Sequence, residues 1–124
     1  MKTLLVMLGG AIGAALRFHV GGVTMRAFGP AFPWGTLMVN VSGGLAMGLL
    51  AGTLARVGSH NEPWRLFLAV GLLGGFTTFS AFTIETFGMI ERGQYVLASA
   101  YVVASVAGAL AGLAGGVLFL RAVA

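Results

Sequence analysis

The sequence has no cysteine and no aspartate, and its acids are limited to Glu62, Glu85 and Glu91. Without cysteine there is no disulfide framework and no thiolate chemistry, and redox usage says nothing about compartment. Charged residues make up 8% of the chain and hydrophobic ones 58%, with a mean hydropathy of +0.98. That balance lies outside the soluble globular class and points to a membrane protein. The formal net charge of +4 comes from scattered Lys and Arg, with no basic run of the kind that binds nucleic acid. An intramembrane enzyme has little to draw on. There is no aspartate pair and no thiol, and His19 and His60 both fall near the ends of apolar stretches. No catalytic activity is expected.

What is present is apolar sequence in lengths that cross a bilayer. A span needs about 20 mostly apolar residues. Residues 3–25, 34–55, 64–90 and 95–120 qualify. Lys2 followed by the run Leu4 to Leu8 has the look of a signal peptide, but three more apolar segments follow, so it reads as a first span. Trp34, Trp64 and Tyr95 stand at segment starts, where aromatic side chains meet the lipid–water boundary. The expected architecture is all-α: residues 1–124 as a single four-helix transmembrane domain among membrane lipids, with no room for an extramembrane domain. If all four segments span, Lys2, Arg56, Arg65 and Arg121 fall on one side, and Arg26 and Arg92 on the other. This is a weak positive-inside bias, compatible with insertion in both directions.

Glycines recur at small-xxx-small spacing: Gly9/Gly13, Gly44/Gly48/Gly52, Gly71/Gly75 and Gly108/Gly112/Gly116. This pattern lets helix backbones approach closely in lipid, so most of these glycines are expected only to pack helices. The third segment is different. It contains Gly74-Gly75-Phe76-Thr77-Thr78-Phe79-Ser80-Ala81-Phe82. Glycine costs about 1 kcal/mol against alanine in a helix, and threonine hydroxyls compete for backbone groups. The third helix is therefore expected to be broken at Gly74–Thr78. In lipid, freed backbone groups survive only against protein, water or an ion. Broken membrane helices often hold ions. The plain alternative is a kink whose carbonyls are satisfied by water or by the Thr77 and Thr78 hydroxyls.

Polar side chains inside spans are functional candidates by default. Asn40 must find partners in the second span, either another helix or a pore. Phe79 and Phe82 share a helix face just beyond the break. An aromatic ring has a positive edge that can face a small anion. Tyr101 and Ser105, four residues apart, put two hydroxyls on one face of the last helix. Arg17 is expected to snorkel to a vestibule, with its stem covering apolar surface. Glu85 is the one acid well inside a span, and Ser80 adds a hydroxyl beside the break.

Taken in order, these residues resemble the CrcB/Fluc family of fluoride channels. Gly9-Gly10-Ala11-Ile12-Gly13-Ala14-Ala15-Leu16-Arg17 is similar to the family's first-helix motif. Gly35-Thr36-Leu37-Met38-Val39-Asn40 is similar to its second, and Gly74 through Phe82 to its third. The resemblance implies an antiparallel, dual-topology homodimer with two narrow pores. It implies passive fluoride efflux that lowers cytoplasmic fluoride, across a bacterial cell (inner) membrane. It also implies a central structural Na+ that is not transported, held by the backbone carbonyls of Gly74 and Thr77. The ion path would run past Asn40, Phe79, Phe82, Tyr101 and Ser105, with Arg17 in the vestibule and Ser80 and Glu85 as auxiliaries. The chain departs from the family at Ala81 and Ala109, where hydroxyl side chains occur in other members, and both changes thin the polar track. The rival is a small proton-coupled multidrug-type transporter. That chemistry uses a carboxylate deep in the first helix, where this chain has none.

Overall fold

The computed structural model describes residues 1–123, apart from the Ser59 side chain. Among them, four stretches are long and apolar enough to cross a membrane. Helix α1 is Lys2–Phe28 and α2 is Trp34–Val57. The third span starts with α3 (Glu62–Trp64), continues through a π-wound stretch (Arg65–Leu73) and closes its leading half with α4 (Gly74–Phe76). Its trailing half is α5 (Ser80–Glu91), and α6 (Tyr95–Ala122) is the fourth span. Each segment expected from hydropathy is present and slightly longer than expected. Turn chemistry ends the first two: Gly29 and Gly58, just past α1 and α2, have φ of 76° and 80°. A side chain at that φ would be strained, so glycine stops the helix there.

Two seams hold the helices together. Helix α1 lies along the leading half of the third span, and α2 lies along α6. The recurrent glycines sit in these seams. A Cβ on Gly13 would collide with the carbonyl oxygen of Leu72, and one on Gly48 with that of Leu113. The absent side chains allow backbones to touch, which is how helices gain packing energy where lipid supplies no hydrophobic drive. The trailing half packs differently. Phe82 and Met89 of α5 meet Ala98 and Tyr101 of α6 in a small buried cluster. The outward faces are bare hydrocarbon: Phe18 is 77% exposed, Ile84 71% and Val96 86%. Such surfaces belong in a bilayer or against another apolar surface. The protein is a multi-pass membrane protein.

The break in the third span is real but displaced. Gly74 is helical, with φ −62° and ψ −39°, and the helix runs on through Phe76. The chain leaves helical geometry at Thr77, whose ψ is 159°, and re-enters it at Ser80. The glycine pair was expected to open the break, yet both residues stay helical and Gly75 serves a contact: a Cβ on it would come within 2.5 Å of the Gly10 carbonyl oxygen. What opens the helix is a side chain from α2, described below. The π-wound stretch before it has no sequence signal; such windings are rare and often sit at functional sites.

Candidate functional site

The site is built around residues 77–79. Asn40 projects from α2 and holds Thr78 by both backbone groups. The Thr78 N–H donates to Asn40 Oδ1 at 2.8 Å, and Asn40 Nδ2 donates to the Thr78 carbonyl at 2.8 Å. In a continuous helix that N–H would have gone to Gly74. Thr77 turns back, with both its N–H and its Oγ1 donating to the Leu73 carbonyl, at 3.0 and 2.9 Å. Thr78 Oγ1 accepts from the Ala81 N–H at 3.2 Å, capping α5, and lies 3.3 Å from Ser80 Oγ. Arg17 Nε, from α1, donates to the Gly75 carbonyl at 3.1 Å. Arg17 is thus anchored at the break.

These bonds leave a remainder. Among the described residues, the carbonyls of Gly74, Phe76 and Thr77 accept no hydrogen bond. The threonine hydroxyls that might have served them are engaged elsewhere. Unpaired carbonyls at membrane depth are costly unless something outside the chain meets them. The oxygens of Gly74 and Thr77, hard and neutral, fit a hard cation such as Na+.

Beside the break, α2, α5 and α6 enclose a groove of about 380 Å³, lined by Asn40, Gly43, Thr78, Phe79, Phe82 and Ser105 among others. Four of the five residues expected along the ion path therefore share one wall. Phe79 and Phe82 have ring centroids 5.7 Å apart. Phe82 is 8% exposed, whereas Phe79 is 75% exposed. Ser105 is the anomaly. Its Oγ is buried and has no hydrogen-bond partner among the described residues. Serine in a helix commonly donates back to the carbonyl one turn earlier. Here that option is unused, on a residue that lines the groove.

Tyr101 is not on that wall. It is fully buried, its ring held between Phe32 at 5.3 Å and Phe82 at 5.2 Å. Its hydroxyl donates to Glu85 Oε2 at 3.3 Å, while Thr36 Oγ1 donates to Glu85 Oε1 at 2.6 Å. The expected hydroxyl track on α6 is thus split: Ser105 is among the groove-lining residues, and Tyr101 belongs to a neighbouring Thr36–Glu85–Tyr101 cluster. Thr36 was not singled out in the sequence. Its signal was there, since it lies one helical turn before Asn40 and so on the same face of α2. Gly43 was also missed; a Cβ there would collide with the Thr77 methyl, so the glycine makes room for the break.

The family model described as "CrcB-like protein, Camphor Resistance (CrcB)" matches residues 4–117. The chain belongs to the CrcB family. Among its relatives in that family, the fluoride-specific ion channel FluC of Sphingopyxis alaskensis is 56% identical over 116 residues, covering 94% of this chain and 92% of the relative. FluC 2 of Nitrobacter hamburgensis is 50% identical over 121 residues, covering 98% of both chains. The Novosphingobium aromaticivorans FluC is 51% identical over 124 residues, again covering 98% of each. These names describe ion channels rather than enzymes, in keeping with the missing catalytic set.

Proposed function

We propose that this CrcB-family protein is a passive, fluoride-selective ion channel that lowers cytoplasmic fluoride. The observation that carries the reading is Ser105: a buried hydroxyl without a partner among the described residues, on a residue that lines a groove with Asn40, Phe79 and Phe82. Fluoride is small and strongly hydrated, so a path for it must replace water with donors at close range. Ser105 supplies an O–H. Asn40 has a second amide N–H beyond the one given to Thr78. Phe79 and Phe82 offer ring edges, which carry partial positive charge. A larger halide gains less from such short, fixed donors, which favours fluoride over chloride. The names and extent of the relatives support the same ion.

The groove is open and Phe79 is largely exposed, so one chain supplies only part of a closed path. We infer that a second copy completes it as an antiparallel homodimer in a bacterial inner membrane. The weak charge asymmetry between the two ends supports insertion both ways. The unmet carbonyls of Gly74 and Thr77 are the groups that would hold a structural Na+, fixing the break and making its surroundings electropositive. Transport needs no coupled proton. An inside-negative potential drives the anion outward by about 2.3 kcal/mol per charge per 100 mV. The rival transporter lacks a foothold, because α1 holds no carboxylate.

The test is fluoride efflux from liposomes containing purified protein, followed with a fluoride electrode, with chloride as control and no proton gradient. Fluoride release without chloride release is the expected result. No release from folded, dimeric protein rejects the channel reading, and release that requires a proton gradient moves the transporter to the front.

A further inference from the structure

A second cavity, of about 320 Å³, lies where α1 ends, α2 begins and α5 ends. It shares no lining residue with the groove. Tyr101 stands between the two: its ring packs on Phe82, which lines the groove, and its hydroxyl reaches Glu85, which lines the second cavity. Among the described residues, Glu85 and Arg92 are the charged side chains lining this cavity. An anion crossing it meets a carboxylate, which repels it if ionised, and a single guanidinium to offset that repulsion.

Arg92 is held in place. It follows α5, and its Nε donates to Gln94 Oε1 at 3.2 Å. Its Nη1 lies 3.2 Å from where a Cβ on Gly88 would stand, and Gly88 is itself part of the cavity wall. The missing side chain at 88 lets the guanidinium fold back over the last turn of α5. No carboxylate lies within ion-pair distance of it among the described residues, where the one ion pair is Lys2–Glu62. Its terminal nitrogens make no hydrogen bond there either, and they retain their charge and their donors.

We propose that this second cavity is an anion mouth, and that Arg92 is its capture residue for a small hydrated anion, fluoride on the reading above, on which this inference rests. A fixed cation at a narrow mouth raises the local anion concentration and the entry rate. Because the guanidinium is exposed, the effect must weaken as salt screens it.

The experiment is potassium-balanced fluoride efflux from liposomes at two ionic strengths set with an impermeant potassium salt. Raising ionic strength from about 10 mM to about 150 mM shortens the screening length from about 30 Å to about 8 Å. Arg92→Gln is expected to slow efflux severalfold at low ionic strength, with most of the loss disappearing at high. Arg92→Lys keeps the charge and most of the rate at both. Gly88→Ala crowds the guanidinium and gives a smaller loss of the same salt-sensitive kind. Arg92→Gln efflux equal to wild type at low ionic strength, or an equal loss at both, overturns the proposal while leaving the channel intact. A wild-type protein that releases no fluoride removes the channel reading, and this inference with it.

Discussion

The glycine seams and the groove at the break meet along α2, where Gly44 packs on Ala109 and also lines the groove, yet they serve opposite needs. In the seams, α1 against the third span and α2 against α6, small residues bring backbones together. In the groove, Asn40 takes Thr78 out of its helix and carbonyls are left unmet, while the buried Ser105 hydroxyl has no partner among the described residues. A protein built only to pack would not retain these costs. The comparison separates residues that hold the fold from residues proposed to serve the ion path.

The comparison is sharpest where a seam is broken outright. Gly13→Leu puts a side chain into the Leu72 carbonyl. Overpacking a tight contact typically costs about 1–3 kcal/mol or more, and here backbone rather than a side chain must yield. The expected outcome is loss of a single, monodisperse species in detergent chromatography, with flux lost as a consequence. Asn40→Ala should act the other way round, on function before fold. It orphans both backbone groups of Thr78, at about 1–3 kcal/mol for each buried group left unpaired. The protein is expected to remain monodisperse with a lowered melting temperature, while fluoride efflux falls about tenfold or more, the equivalent of at least about 1.4 kcal/mol in barrier. The smallest effect is expected where neither region is touched. Nothing lies within 4 Å of a Cβ added to Gly22 of α1. Gly22→Ala should therefore leave efflux unchanged and raise stability by up to about 1 kcal/mol through helix propensity. Thermal unfolding of the detergent-solubilised protein reads that shift.

Much of this division was legible in the sequence. Hydropathy located each span to within a few residues, because a bilayer demands length and little else. Glycine spacing identified the seams, though not which helices they join. The break was legible as a break but was placed too early. Gly74 and Gly75 look like helix breakers, and in water they would be; here Gly75 is a contact residue against Gly10, and the helix runs through both. The actual cause is a side chain some 38 residues away in sequence, which no local propensity reports. The split between Ser105 and Tyr101 was equally invisible. Four-residue spacing places both on one face of α6, but it does not reveal that Phe82 and Glu85 of α5 divide that face into a groove and a buried cluster. The π-wound stretch and the guanidinium folded over Gly88 likewise depend on neighbours rather than on pattern.

The most direct measurement of the central claim is fluoride efflux by Ser105→Ala beside its melting temperature. The substitution removes one oxygen that bonds to nothing within the described chain, so the fold should lose nothing and gain slightly from a buried polar group removed. The expected result is an unchanged or higher melting temperature with efflux reduced severalfold. Efflux equal to wild type in a protein of equal stability would contradict the claim, because the unpaired hydroxyl would then serve no ion and the groove would be only a gap between helices.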